Sequence, residues 1–284
     1  MDIHTKMECP ICRIDTISYK QIETEIIVKE CPSCSLKISD LKSIDNIKKS
    51  HSKEFWQKDN YKNFIGTNFS DKKVLDLVLS WNSWYSTCEE FFEGKRILDI
   101  GSGTGISLVK FEERGFEVKG IEPDPENVEK INQILKKGIC ENGFIEDFDT
   151  TERFDIIWSS HSLEHMKDPN ICFQKALKFL KDKGIFCVIV PDGDNPFSIK
   201  ESSQNRFHIY HYSKESLKKL GESYGFKIEY ISSYKIMKRN FFRIHKILRK
   251  IYLQKLSVKL GKFFPFEETI KNDGNEIRVI FRKS

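Results

Sequence analysis

The hydrophobic pattern alternates between short apolar runs and helical spacing from about residue 95 onward. Arg96–Ile100 is a compact apolar run that predicts a buried strand. Residues 106–114 carry apolar side chains at helical spacing and are closed by Gly115, a residue suited to a left-handed cap. Residues 116–121 predict a second strand. Asp124-Pro125 then supplies an N-cap and a first-turn proline, followed by Val128, Ile131 and Leu135 at helical spacing. Residues 154–158 and 185–190 predict further buried strands. Asp168-Pro169 opens the helix between them, with Phe173, Ala176, Leu177 and Leu180 inward. A helix beginning near Ser213, with Leu217, Leu220 and Tyr224, ends at Gly225-Phe226, and closing strands fall at roughly 226–237 and 276–281. This alternation predicts an α/β fold, a doubly wound, mostly parallel seven-stranded sheet with helices on both faces.

The N-terminal region breaks that rhythm. Cys9-Pro10-Ile11-Cys12 and Cys31-Pro32-Ser33-Cys34 are separated by eighteen residues. Two such turns fit a tetrahedral Zn2+ site with the four thiolates of Cys9, Cys12, Cys31 and Cys34 as ligands. The β-branched stretch 22–28 reads as a strand of a zinc ribbon. A unit of about 40 residues has too little core to fold alone, so a metal would supply the missing stability. Protein fills every ligand position, which makes the site structural. Cys88, Cys140, Cys172 and Cys187 are isolated and read as core thiols.

The expected division is a zinc ribbon (1–42), a helical linker or cap (43–94), the main α/β domain (95–237), a basic amphipathic insertion (238–270) and the last strand of the sheet (271–284). With 284 residues and 39% hydrophobic content, the chain can hold one such domain and a small appendage. No run of eighteen apolar residues occurs, and residues 1–8 lack an apolar signal core. The expected location is the cytoplasm, where thiols stay reduced.

The net charge of +5 is unevenly placed. Residues 238–262 hold nine lysines and arginines and no acidic residue, leaving the rest mildly acidic. As a helix this segment aligns Phe241, Ile244, Leu248, Ile251, Tyr252 and Leu256 in one stripe. Two readings stand: a lid packed on the body beside the substrate pocket, or a face docked on an anionic membrane, at its inner side.

The first strand of the main sheet runs into Asp99-Ile100-Gly101-Ser102-Gly103-Thr104-Gly105. Glycines here permit a sharp turn and let a ligand approach the main chain. The spacing is GxGxG, an acidic residue precedes it within the strand, and the second strand ends in Glu122-Pro123. A carboxylate there can accept hydrogen bonds from both hydroxyls of a ribose. These motifs resemble the class I S-adenosylmethionine-dependent methyltransferases, over roughly 95–235 and the last strand. The resemblance implies that the glycine loop, with Asp99, Gly101, Ser102, Gly103 and Gly105, passes under the methionine part of S-adenosylmethionine. It implies Glu122 and Pro123 at the adenosine ribose, and Ile145 and Glu146 at the adenine, where Phe144-Ile145-Glu146-Asp147 stands. Phe154-Asp155-Ile156-Ile157 matches the family's fourth strand, leading to Ser159, and Leu163-Glu164-His165 matches the motif after it.

Methyl transfer from a sulfonium mainly needs alignment; a hydroxyl acceptor also benefits from a base. Two groups qualify: His161, Glu164 and His165 after the fourth strand, and His208 and His211 in His208-Ile209-Tyr210-His211-Tyr212. The second resembles a segment of glycan-directed members, and His208 is taken as the base. A capping or packing role is the other reading for His165. A zinc ribbon, then an aromatic-rich segment (Phe55, Trp56, Tyr61), then the glycine loop resembles bacterial enzymes of sugar and polysaccharide modification. This implies O-methylation of an anionic small molecule or glycan, nucleotide-linked or lipid-linked. Two alternatives stay open. An RNA methyltransferase would use the zinc module and basic segment on phosphates, although Ser159-Ser160-His161-Ser162 is not the motif that stacks a flipped base, so nucleic acid is not the expected partner. A non-catalytic cofactor-binding module is the other.

Overall fold

The computed structural model describes residues 7–15, 18–21, 27–39, 72–204, 208–238, 267–271 and 274–284. The aromatic residues 55, 56 and 61, residues 22–26 of the expected ribbon strand and the apolar stripe 241–256 lie outside them. In chain order the elements are β1 (Ser18–Gln21), β2 (Ile27–Glu30), β3 (Lys37–Ser39), α1 (Lys72–Cys88), β4 (Arg96–Ile100), α2 (Ile106–Glu113), β5 (Glu117–Glu122), α3 (Pro125–Ile134) and β6 (Ile139–Asn142). There follow β7 (Phe154–Ser160), α4 (Pro169–Phe179), β8 (Leu180–Pro191), α5 (Pro196–Gln204), β9 (Tyr210–His211), α6 (Lys214–Ser223), β10 (Phe226–Lys238), β11 (Glu267–Lys271) and β12 (Glu276–Lys283).

Helix starts follow local chemistry. The Asp124 and Asp168 carboxylates accept from the amides of Glu126 and Asn170 at 2.8 and 2.9 Å, with proline in the first turn of α3 and α4. Ser213 and Ser216 form a reciprocal capping box on α6.

The main sheet has the order β11-β10-β12-β8-β7-β4-β5-β6. β6, β5, β4, β7 and β8 run parallel, and β12 lies antiparallel between β8 and β10. They make up the expected seven-stranded sheet, although the sequence pattern places six of them and β6 (Ile139–Asn142) is not among those. An eighth, β11, pairs with the far half of β10, from Tyr234↔Lys271 to Lys238↔Glu267. Its sequence EETIK has no apolar alternation, because an edge strand held by main-chain pairing needs none. Successive residues of the central strands enter opposite cores. Ile97, Ile156, Cys187 and Ile280 join Trp81 of α1 and Phe111 of α2 on one side. Leu98, Ile157, Val188 and Phe281 join Phe173 of α4 and Leu217 of α6 on the other. Both faces are therefore covered, which is why these strands read as continuous apolar runs.

The second sheet has the order β1-β2-β3-β9. Its fourth strand comes from the far part of the chain: Lys37 pairs with His211 and Ile38 with Tyr210. Leu36 and Ile38 belong to the same core cluster as Leu217 and Val188. The cysteine unit is thus packed into the main body. Among the described residues no helix is long and apolar enough to cross a membrane.

Candidate functional site

The glycine loop at the C-terminal end of β4 is tied to its neighbours by main-chain bonds. The amides of Gly101 and Ser102 both donate to the Ile121 carbonyl, at 2.9 and 3.0 Å. Gly101, Gly103 and Gly105 have φ of +73, +55 and +77, a region that disfavours other residues. The three glycines have different surroundings. A Cβ on Gly101 would meet the Ser162 Cβ at 2.5 Å, whereas one on Gly103 would meet nothing nearer than the Gly101 carbonyl at 4.0 Å. The open face of the loop is therefore at Gly103.

Glu122, 2% exposed, aims at that face. Its Oε2 accepts from the Gly103 amide at 2.7 Å and its Oε1 from the Asp124 amide at 3.0 Å. A carboxylate has about four acceptor sites, so two remain for a ligand. Burial, with the Asp124 and Asp99 charges, pushes Glu122 up to about 7. Asp99 is also raised to about 7 by burial, and among the described residues its buried Oδ2 has no hydrogen-bond partner. An orphaned buried carboxylate oxygen and an uncovered glycine main chain fit a polar, cationic cofactor. Pro123, next to Glu122, and Glu146 are partly exposed, Ile145 is buried, and Ser159 is fully buried. The Ser159 and Ser162 hydroxyls lie 2.7 Å apart, and the Ser162 Oγ donates to the Ile100 carbonyl at 2.8 Å.

Ser162 also opens the turn that carries Glu164 and His165 (Leu163–His165). The structure brings both histidine groups together here. One side-chain donor atom from each of Glu164, His165 and His208 lies within 4.8 Å of the others, and the His165 and His208 rings meet edge to face at 4.6 Å. Two imidazoles and a carboxylate are also the donor types of a divalent-cation site. Glu164 is 1% exposed, and among the described residues neither of its oxygens has a hydrogen-bond partner. The segment holding His208 is fastened to this turn by the Ile209 amide, which donates to the Glu164 carbonyl at 2.9 Å.

The histidines differ in charge. Burial lowers His208 to about 3, with the neighbouring His165 adding to the effect, and lowers His211 to about 4. Both are neutral at physiological pH. His161 goes the other way. Desolvation by the surrounding protein works against its charge, although 40% of its side chain is exposed, but Glu164 and Glu276, each 3.6 Å from a ring nitrogen, raise it to about 10. It stands as a cation at neutral pH and has no proton-accepting form there. Glu276 in turn accepts from Trp84 Nε1 at 3.0 Å and from Arg278 Nε at 2.8 Å.

The four cysteines also come together: their sulfurs all lie within 4.8 Å of one another, with Cys9 and Cys34 Sγ 3.7 Å apart. A tetrahedral Zn2+ with bonds of about 2.3 Å places its sulfurs roughly 3.8 Å apart. Both turns have the same build. The Arg13 amide donates to the Cys9 carbonyl and the Ser35 amide to the Cys31 carbonyl, with φ of +55 and +57 at Arg13 and Ser35. The residues fit a structural zinc.

Ser39, Ser202, Ser162 and Glu276 were not singled out by the sequence. Ser39 and Ser202 bridge the two buried histidines: Ser202 Oγ lies 2.5 Å from His208 Nδ1 and 2.8 Å from His211 Nδ1, and Ser39 Oγ lies 2.9 Å from His211 Nε2. A lone serine carries no sequence signal of such a role.

Residues 49–231 match a family model described as a methyltransferase domain. Curated relatives include the ubiquinone biosynthesis O-methyltransferases of Rhodopseudomonas palustris, 32% identical over 100 residues, and Nitrobacter winogradskyi, 31% over 96 residues. The first match covers 34% of this chain and 40% of the relative, the second 32% and 37%; the chain thus spans about 40% of the length of the curated relatives it matches. Among solved structures, a possible histamine N-methyltransferase from Thermotoga maritima superposes with a TM-score of 0.54 at 17% identity, covering 75% of this chain and 94% of that one. A putative methyltransferase from Bacillus halodurans gives 0.52 at 16% identity, covering 71% and 99%. At such identity the likeness shows the fold.

Proposed function

The chain belongs to the methyltransferase-domain family, with the class I S-adenosylmethionine-dependent fold, and on that premise we propose that it methylates a sugar hydroxyl with His208 as general base. The observation that carries this reading is a neutral, buried imidazole grouped with Glu164 and His165, which lie two and three residues beyond Ser162, the serine bonded to the Ile100 carbonyl at the start of the glycine loop. S-adenosylmethionine, when bound, supplies a methyl group already activated by sulfonium charge. The chain's contribution is to hold the cofactor with Glu122 and the glycine loop and to align the acceptor oxygen. His208 takes the hydroxyl proton as the oxygen–carbon bond forms and the carbon–sulfur bond breaks. Glu164, buried beside it, favours the imidazolium that results. The relatives' printed role in O-methylation supports a hydroxyl acceptor. The sugar is supported by the order of cysteine unit, aromatic-rich segment and glycine loop. We propose that the acceptor carries an anionic part, a chemistry that the excess of lysines and arginines in the sequence of 238–262 would suit.

The test is transfer from labelled S-adenosylmethionine to a panel of nucleotide sugars, lipid-linked glycans, hydroxylated aromatic rings and RNA. Label on a sugar oxygen is expected. Label confined to an aromatic hydroxyl, an amine or RNA overturns the sugar assignment.

We also propose that Cys9, Cys12, Cys31 and Cys34 hold one structural Zn2+. Elemental analysis of protein purified without chelators should find about one zinc per chain; none would refute it. Cys12→Ser should lose the metal and unfold the N-terminal unit while cofactor binding stays measurable.

A further inference from the structure

The cysteine unit and the candidate base meet at Ser39, the last residue of β3. Its hydroxyl has one hydrogen and two neighbours: the His208 carbonyl oxygen at 2.8 Å and the His211 Nε2 at 2.9 Å. A carbonyl can only accept, so the Ser39 hydrogen goes to the His208 carbonyl. The His211 Nε2 must then carry a hydrogen and donate it to the Ser39 oxygen. His211 is 1% exposed and has no carboxylate among its hydrogen-bond partners, so it stays neutral and its Nδ1 is bare. A bare Nδ1 needs a donor, and the Ser202 hydroxyl is 2.8 Å away. This uses the Ser202 hydrogen. Its oxygen, 2.5 Å from the His208 Nδ1, can only accept there, so His208 carries its hydrogen on Nδ1. The bare nitrogen of a neutral His208 is therefore Nε2. Each step follows from counting one hydrogen per hydroxyl and one per neutral imidazole.

We propose that Ser39 is a positioning residue that sets the tautomers of His211 and His208, so that the cysteine unit forms part of the acceptor site. The relay runs from Ser39 through His211 and Ser202 to His208, and it leaves His208 with a proton-accepting Nε2. All four side chains are buried, between 1% and 9% exposed, so water does not readily substitute for a lost partner. β3 pairs with β9 at Lys37↔His211 and Ile38↔Tyr210, and this pairing delivers Ser39 to the histidines. Two further bonds lock the register: Ser213 Oγ donates to the Cys34 carbonyl at 2.8 Å, and Asn170 Nδ2 to the Pro10 carbonyl at 3.1 Å. The carbonyls that receive them belong to the two cysteine turns. Folding of the cysteine unit and protonation of the candidate base are thereby joined by one hydroxyl.

The catalytic meaning of this relay rests on His208 being the base; the relay itself does not. Long-range proton–nitrogen correlation spectra of the full chain labelled with 15N-histidine report which ring nitrogen carries hydrogen, and they need no acceptor. His208→Gln and His211→Gln assign the signals. The wild type should show hydrogen on Nδ1 of His208 and on Nε2 of His211. Ser39→Ala should lose the wild-type pattern at both rings, and Ser39→Thr, which keeps the hydroxyl, should restore it. A wild-type His208 protonated on Nε2 overturns the proposal, and so does Ser39→Ala with both patterns unchanged. If Ser39→Ala does not fold, the wild-type spectrum alone decides. Normal turnover by His208→Ala would remove the base assignment while leaving the spectra as they are, so the two failures are distinguishable.

Discussion

Alanine at position 208 should lower kcat by about 10²–10⁴-fold, the usual worth of a positioned base, with S-adenosylmethionine affinity nearly unchanged. The split arises because His208 sits with Glu164 and His165 after β7 and not on the glycine loop. The pH profile offers a second reading of the same group. Burial lowers His208 to about 3, against about 6.5 for a free imidazole, so its basic form persists through mildly acidic solution. The acid limb of kcat/KM should therefore lie well below 6.5, measured over the range where melting shows the enzyme folded. Loss of cofactor affinity at normal kcat would make His208 structural. Activity abolished by a mild chelator, with zinc content unchanged, would assign the role to a divalent cation held by Glu164, His165 and His208. His161→Gln should cost less turnover than His208→Ala, because a cation between two carboxylates has no proton-accepting form to lose.

Glu122→Ala should weaken S-adenosylmethionine binding most severely among the loop variants. It removes the two oxygens that hold the Gly103 and Asp124 amides, together with the acceptor sites left for the ribose hydroxyls. Each buried partner left unsatisfied costs about 1–3 kcal/mol. With loop and ribose both affected, affinity should fall by about 30-fold or more. Glu122→Gln should also fail, since its amide turns a donor toward a main-chain donor. The wild type should bind more weakly as pH falls below about 7, where Glu122 and Asp99 take up protons and acceptor oxygens become hydroxyls. Two glycine variants separate loop folding from ligand contact. Gly101→Val drives its side chain into Ser162 and should lower both Tm and affinity. Gly103→Ala enters open space, so affinity should fall with a smaller change in Tm. Calorimetry showing wild-type affinity in Glu122→Ala and Gly101→Val would refute the pocket.

Elements governed by local chemistry were legible in the residues alone. Strand β4 begins and ends where its apolar run does, α3 and α4 start at their Asp-Pro caps, and α6 starts at Ser213, because each boundary depends on neighbours within a few positions. The glycine loop, Glu122 and the doubled cysteine turns were legible for the same reason, as short motifs with fixed spacing. Tertiary structure decided what depends on distant contacts. β11 is a polar strand made by pairing with β10, and β9 is two residues recruited by β3. The charges of the histidines were hidden as well: His161 and His208 look alike in sequence, yet Glu276, more than a hundred residues away, helps hold one as a cation, while burial keeps the other neutral. Ser39 and Ser202 had no signal at all. A hydroxyl gains its role from the two groups on either side of it, and only the folded chain brings residues 39, 202, 208 and 211 into one hydrogen-bonded line.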